Sequence, residues 1–412
     1  STATIARSLA NLAPTWNVEA PDLQPVPFVI GDRVLVADRE GMHERDVASG
    51  ASLAHAAFAR PWPHGASVEA ADADTAIVSG DRVLVAVDRA RGVERWRREL
   101  DRSADLVALV GRRVYAVTRE GRGASLVVLD AERGDPLATA RLPAGVVFGK
   151  MWTVRDGLVV AGDRLTGAEL STFVVGLDVD GGVRWRYQTI ERRVVDVDRD
   201  AERAVIVGAG TATVLRTSDG QVQASWPMRD ETVDASLAGD TVYVVAGDNV
   251  DLGSEIRAHD LAGRLVWRRR TATRGPLTIT ADGVLYASQT GEVLVALART
   301  TGAPVWRWGM GPTFDFRVAP DGGVVVGRPV VGGRELVAFQ RGRRPAPAHT
   351  LSVVGTYAND CSPALLRVGD RWIPPGRFRL SLTGRGLVAI GGEHHAYDAG
   401  RVVVNIVEEC ED

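Results

Sequence analysis

The chain holds one local cluster of catalytic residue types, Glu393-His394-His395, followed by Tyr397 and Asp398. Two imidazoles and a carboxylate could hold a metal ion or exchange protons near neutral pH. Their surroundings read as a turn or a surface strand, and adjacent strand positions face opposite ways, so the histidines would share a ligand only where the segment turns. Asp196-Val197-Asp198-Arg199-Asp200 imitates the start of a calcium loop. However, Ala201 stands where the sharp turn needs Gly, and Val207 where the loop needs a bidentate Glu. It reads as a turn between two repeats. No nucleophile elbow, phosphate loop or dinucleotide fingerprint is present. Catalytic, cofactor-binding and metal-ligating residues are therefore expected to be none.

Two other features could bind a protein. In Arg60-Pro61-Trp62-Pro63-His64 a Trp is fenced by prolines. If exposed, Trp62 with His64 would be a rigid partner-binding anchor; the alternative is packing over the end of a structural unit. Arginine-rich stretches, Arg268-Arg269-Arg270 and Arg341 with Arg343-Arg344, could meet an acidic partner, although solvated strand faces carry such residues by default.

A repeat must position these loops. An alternating apolar strand, a small residue and Asp, a turn ending in Gly, and a second strand with Trp four residues after the Gly recur along most of the chain. The clearest copy runs from Val85-Ala86-Val87-Asp88 through Gly92 to Trp96. Others lead to Trp185, Trp267 and Trp306, and degenerate copies to Ala54 and Trp226. The turn glycines read at 50, 92, 134, 182, 220, 263 and 302, spaced 38 to 48 residues apart. Upstream strands such as Val114-Tyr115-Ala116-Val117 and Val242-Tyr243-Val244-Val245 complete each period. Four short antiparallel strands in about 40 residues make one propeller blade.

An eighth period begins at Leu336-Val337-Ala338-Phe339 and lacks a Trp strand, whereas Pro14-Thr15-Trp16-Asn17-Val18 is a Trp strand with no blade before it. Pairing the two closes a ring and removes two sheet edges. The expected fold is all-β, an eight-bladed propeller with seven blades as the alternative. Trp16, Trp96, Trp185, Trp226, Trp267 and Trp306 are then structural, each lying between neighbouring blades with its indole N–H on a nearby carbonyl.

The Asp-x-x-x-Gly-x-x-x-Trp unit, over roughly residues 14–344, resembles the repeat of the pyrroloquinoline-quinone family of β-propellers. It is closer to the branch of the outer-membrane assembly propeller lipoprotein than to the quinone dehydrogenases. The dehydrogenase branch implies a longer chain, adjacent cysteines over the quinone and a calcium set. Here Cys361 and Cys410 are far apart, and no such set can be matched. No cofactor is expected. The assembly branch implies a docking scaffold working through inter-blade loops; unlike it, this chain has no cysteine near Ser1 and adds a C-terminal region.

That region begins after Arg343-Arg344-Pro345-Ala346-Pro347. The organisation expected is an extension at 1–13, the propeller at 14–344 closed by the N-terminal strand, a Pro-rich linker at 345–349, and a small β-rich domain at 350–412. The last reads as five strands in a sandwich or barrel-like arrangement. Cys361 and Cys410 flank most of it, as a disulfide or as two buried thiols.

Composition narrows the partners. Of 412 residues, 49 are basic and 52 acidic, and a net charge of -3 gives no field to gather nucleic acid. No apolar run reaches the roughly 18 residues of a transmembrane segment. The chain starts at Ser1, which leaves processing and compartment open, with a periplasmic or other extracytoplasmic setting favoured and envelope association in view. The function expected is a non-enzymatic protein–protein interaction scaffold or adaptor in a multi-subunit assembly, with protein partners of unknown identity. The alternative is an enzyme or small-ligand sensor using the central funnel, which several carboxylates or histidines there would favour.

Overall fold

Each period folds into a four-stranded antiparallel sheet, and the described strands of the computed structural model make eight of them. The structure describes residues 16–20, 27–62, 65–121, 123–166, 169–189, 194–247 and 254–339 apart from short stretches within these ranges, and seven strands between 350 and 408. Blades 1 to 7 span 28–57, 67–99, 104–141, 146–188, 194–228, 232–270 and 277–309. Blade 8 takes three strands from Asp315–Val318, Val324–Val330 and Gly333–Phe339, and its fourth from Trp16–Ala20. That last strand runs antiparallel to Gly333–Phe339, with Trp16 opposite Ala338. Blades 1 and 2 are further joined by a parallel contact between their outer strands at Ala57 and Val93.

The near-continuous apolar strands of the sequence follow from burial on both faces. In blade 2, Val85 and Val87 enter the layer shared with blade 1, and Leu84 and Ala86 the layer shared with blade 3. Successive junctions from 1–2 to 6–7 each have such a layer, and Trp16, Val34, Val36, Val325, Leu336 and Ala338 form one between blades 8 and 1. First strands of neighbouring blades lie side by side, which makes them the innermost.

At the periphery, the repeated Trp and Gly meet across each blade boundary. Trp96 sits on the outer strand of blade 2 and donates its indole N–H to the Ala131 carbonyl of blade 3 at 2.8 Å. Its ring lies against Gly134, where a Cβ would fall 2.7 Å from the indole. Trp16, Trp185 and Trp267 repeat the bond to Val47, Thr217 and Arg299 of the following blade, at 2.7, 2.8 and 2.6 Å. Their rings cover Gly50, Gly220 and Gly302, and that of Trp226 covers Gly263. Each of these glycines also has φ between 66° and 79°, so Gly serves the turn and the Trp contact together. The five indoles are 6–9% exposed. The Trp306 side chain lies outside the described residues.

The turn of blade 4 differs from the sequence reading. The left-handed residue is Gly181, at φ 84°, and Gly182 is placed by its amide on Asp178 Oδ1 at 2.7 Å. The tight Asp-x-x-Gly turn seen again at Asp260–Gly263 shifts the glycine by one position.

Beyond 350, Thr350–Asn359 is the centre of a three-stranded sheet, antiparallel to Gly376–Thr383 and parallel to Gly400–Glu408. Two hairpins accompany it, Leu366–Val368 with Arg371–Ile373 and Leu387–Ile390 with Glu393–Ala396. Arg371–Ile373 and Glu393–Ala396 add strands to the five expected.

Candidate functional site

The sequence singled out Trp62, and the structure buries it. Trp62 is 2% exposed; its ring meets Phe58 edge-on at 6.0 Å, and the Arg97 guanidinium lies 5.1 Å above it. A Cβ on Gly80 would fall 2.6 Å from the indole. Arg39 fixes the segment from both sides, accepting from the Trp62 amide and donating to its carbonyl at 3.1 Å. Trp62 is thus a wedge packed on blade 2 rather than an exposed anchor. His64, Cys361, Cys410, Tyr397 and Asp398 lie outside the described residues. His394 and His395 occupy successive positions of a strand, paired with Ala389 and Val388.

The imitation calcium loop comes apart in space. Asp198 caps a turn, accepting from the Glu202 and Arg203 amides and pairing with the Arg203 guanidinium at 3.2 Å. Asp196 instead lies on the innermost strand of blade 5, Val194–Val197, where it joins residues that the sequence never linked.

Lys150, the one lysine of the chain, stands at a bulge in the inner strand of blade 4 and donates to the Val195 carbonyl of blade 5 at 3.1 Å. Asp196 Oδ2 accepts from Ser236 Oγ at 2.7 Å and from the Leu237 amide of blade 6 at 3.2 Å. Asp234, beside a bulge in blade 6, accepts from the Leu277 amide of blade 7 at 2.6 Å. Three successive blade junctions are therefore clasped at the inner strands by polar bonds. The residues line a cavity of about 240 Å³ that also includes Thr278. Burial holds both carboxyls above the ordinary aspartate range; Asp196 raises Asp234 further, and the Lys150 ammonium offsets part of the rise in each. This arrangement can hold charge and exchange hydrogen bonds with a small polar group.

A second, larger opening of about 690 Å³ lies between blades 2 and 3. Turn residues of both blades build it, including Asp72, Asp74, Arg91, Arg112 and Glu132. Arg95 holds one wall by pairing with Asp88 at 2.9 Å and donating to Thr75 Oγ1 at 3.1 Å. Arg112 reaches Glu132 across the exposed rim at 2.8 Å. No group of three or more metal-ligating side chains occurs among the described residues.

The family model described as outer membrane protein assembly factor BamB matches residues 79–254 and again 252–344. Among solved structures, BamB from Moraxella catarrhalis superposes with a TM-score of 0.54 at 15% identity, covering 80% of this chain and 99% of that one. The Dos1 propeller gives 0.57 at 10% identity over 80% and 95% of the two chains. At such identities these two likenesses speak to the propeller fold alone. No curated protein matches the chain in sequence.

Proposed function

Because the chain belongs to the family of the outer membrane protein assembly factor BamB, we propose that it is a non-enzymatic scaffold that docks protein partners within an envelope assembly, on the extracytoplasmic side. One observation carries the location of docking, the crevice between blades 2 and 3. It is open and polar, and its walls are turns of two blades set in place by strand pairing below them. Arg91 and Arg112 supply the arginines that protein interfaces favour, and Asp72, Asp74 and Glu132 supply countercharges that select a partner. A rim of mixed charge built from the turns of two blades suits a charged peptide segment of another protein. Residues 350–412 would add a separate β-rich surface to the same scaffold.

The test is crosslinking and affinity capture from the native host with quantitative mass spectrometry. A near-stoichiometric partner crosslinked to the 2–3 crevice, and lost on the double reversal R91E/R112E, is the expected result. Recovery of the chain alone, or of a partner indifferent to the reversal, would overturn the placement.

A further inference from the structure

The axial cavity goes beyond the scaffold reading. Its carboxyls do more than the fold asks of them. As clasps between blades, positions 196 and 234 need only accept hydrogen bonds from Ser236, Leu237 and Leu277. An asparagine carbonyl would accept the same bonds without burying a charge. Ionisable groups held in a partly buried cleft, perturbed by burial and by each other, mark sites where charge is used.

We propose that the cavity between the inner strands of blades 4 to 7 binds a small organic cation, an ammonium or guanidinium group, between Asp196 and Asp234. The charge count points to this class. Among the described residues lining it, two carboxyls face one ammonium, and Lys150 is already committed to the Val195 carbonyl. A second monovalent cation would balance the second carboxylate. Each aspartate uses Oδ2 for its clasp to the next blade, which leaves Oδ1 outside the inter-blade bonds. Ser236 and Thr278 add hydroxyls to the lining. The volume of about 240 Å³ holds roughly eight waters at about 30 Å³ each, the size of a short aliphatic amine. A divalent metal suits the site less, since it seeks six or more oxygen ligands and would meet the Lys150 charge.

The experiment is isothermal titration of the full chain with putrescine and with agmatine, repeated in two buffers of different ionisation enthalpy. Saturable binding is expected, and the two buffers separate its intrinsic heat from any heat of proton exchange. D196N and D234N should each weaken binding by at least tenfold, and K150M should tighten it severalfold by removing the competing ammonium. K150M keeps both aspartates and so remains a test even if an asparagine variant fails to fold. Absence of saturable heat, equal affinity in the asparagine variants, or weaker binding by K150M would overturn the proposal. Calcium binding that the amines fail to displace would also overturn it, assigning the cavity to a metal.

Discussion

The junction between blades 2 and 3 and that between blades 3 and 4 solve the same problem with different residues. At the first, Trp96 lies on Gly134 and bonds to Ala131. At the second, the outer strand of blade 3 has Ala138 opposite Val128 and no Trp. There Tyr115 donates its hydroxyl to the Val179 carbonyl at 2.7 Å, Arg113 donates to the same carbonyl and pairs with Asp180 at 2.9 Å, and Gly181 packs on Leu126 and Val128. The 1–2 junction, where Ala54 replaces Trp, uses a third solution. Arg89 makes a two-pronged bond to Glu44 at 2.9 and 3.1 Å, with both side chains about nine-tenths buried. The repeat therefore prescribes that each blade be fastened to the next and leaves the chemistry of the fastening free. An apolar ring is the usual fastening, and polar groups substitute where it is missing.

Loss of an indole ring should have the largest effect. Trp96→Ala leaves a cavity and an unpaired Ala131 carbonyl, and should cost about 3–5 kcal/mol, read as a fall in the denaturant midpoint. Arg89→Ala leaves the buried Glu44 carboxylate with only the longer Arg33 contact at 3.6 Å and should cost about 3 kcal/mol. The double change E44L/R89M should recover most of that loss, whereas no partner substitution should rescue Trp96→Ala. Gly134→Ala combines a strained φ with a Cβ pressed on Trp96 and should cost about 2 kcal/mol. Gly111→Ala, at φ 54° with nothing within 4 Å of the new Cβ, should cost about half as much by the same denaturation measurement, isolating the backbone share. Tyr115→Phe should cost about 1 kcal/mol, and a value near zero would mean that Arg113 alone fastens the 3–4 junction.

The smallest effect should carry the opposite sign. Asp234 has its pKa raised in the folded state, so its ionised form weighs against folding. Its contribution is most favourable below the unfolded value of about 4 and is lost as pH rises through the folded value. Asp234→Asn should thus melt slightly higher than the parent near neutral pH, with the difference closing on acidification. A melting temperature lower than the parent's at every pH would mean that the carboxylate itself is needed for the clasp to Leu277.

The blades were legible because their signals are local. Asp, Gly and Trp of one turn lie within nine residues, as Asp88, Gly92 and Trp96 do, and they recur. The orphan strand at Trp16 could be assigned because a ring leaves it one vacant place. The axial cavity was not legible, since Lys150, Asp196 and Asp234 occupy three periods and belong to no part of the repeat pattern; only closure of the propeller brings their strands together. Asp196 was further disguised by Asp198 and Asp200, which suggested a loop, whereas the chain passes from strand to turn between 197 and 198. Trp62 was left between two readings for a related reason. Flanking prolines announce a rigid segment but say nothing of which side its ring takes, and the side is set by the space at Gly80.

The pairing of Trp16–Ala20 with Gly333–Phe339 also bears on how the molecule comes into being. Its partners lie more than 300 residues apart in the chain, so a strand made before blade 1 is among the last to find its place. Blades 1 to 7 can form as they leave the ribosome, each from contiguous sequence, while the seam waits for nearly the whole propeller to be synthesised. During that interval the outer edge of blade 8 and the strand at Trp16 are both unpaired, and a second nascent copy can supply either one. The order of synthesis makes the seam the step at which one chain closes on itself or exchanges strands with another.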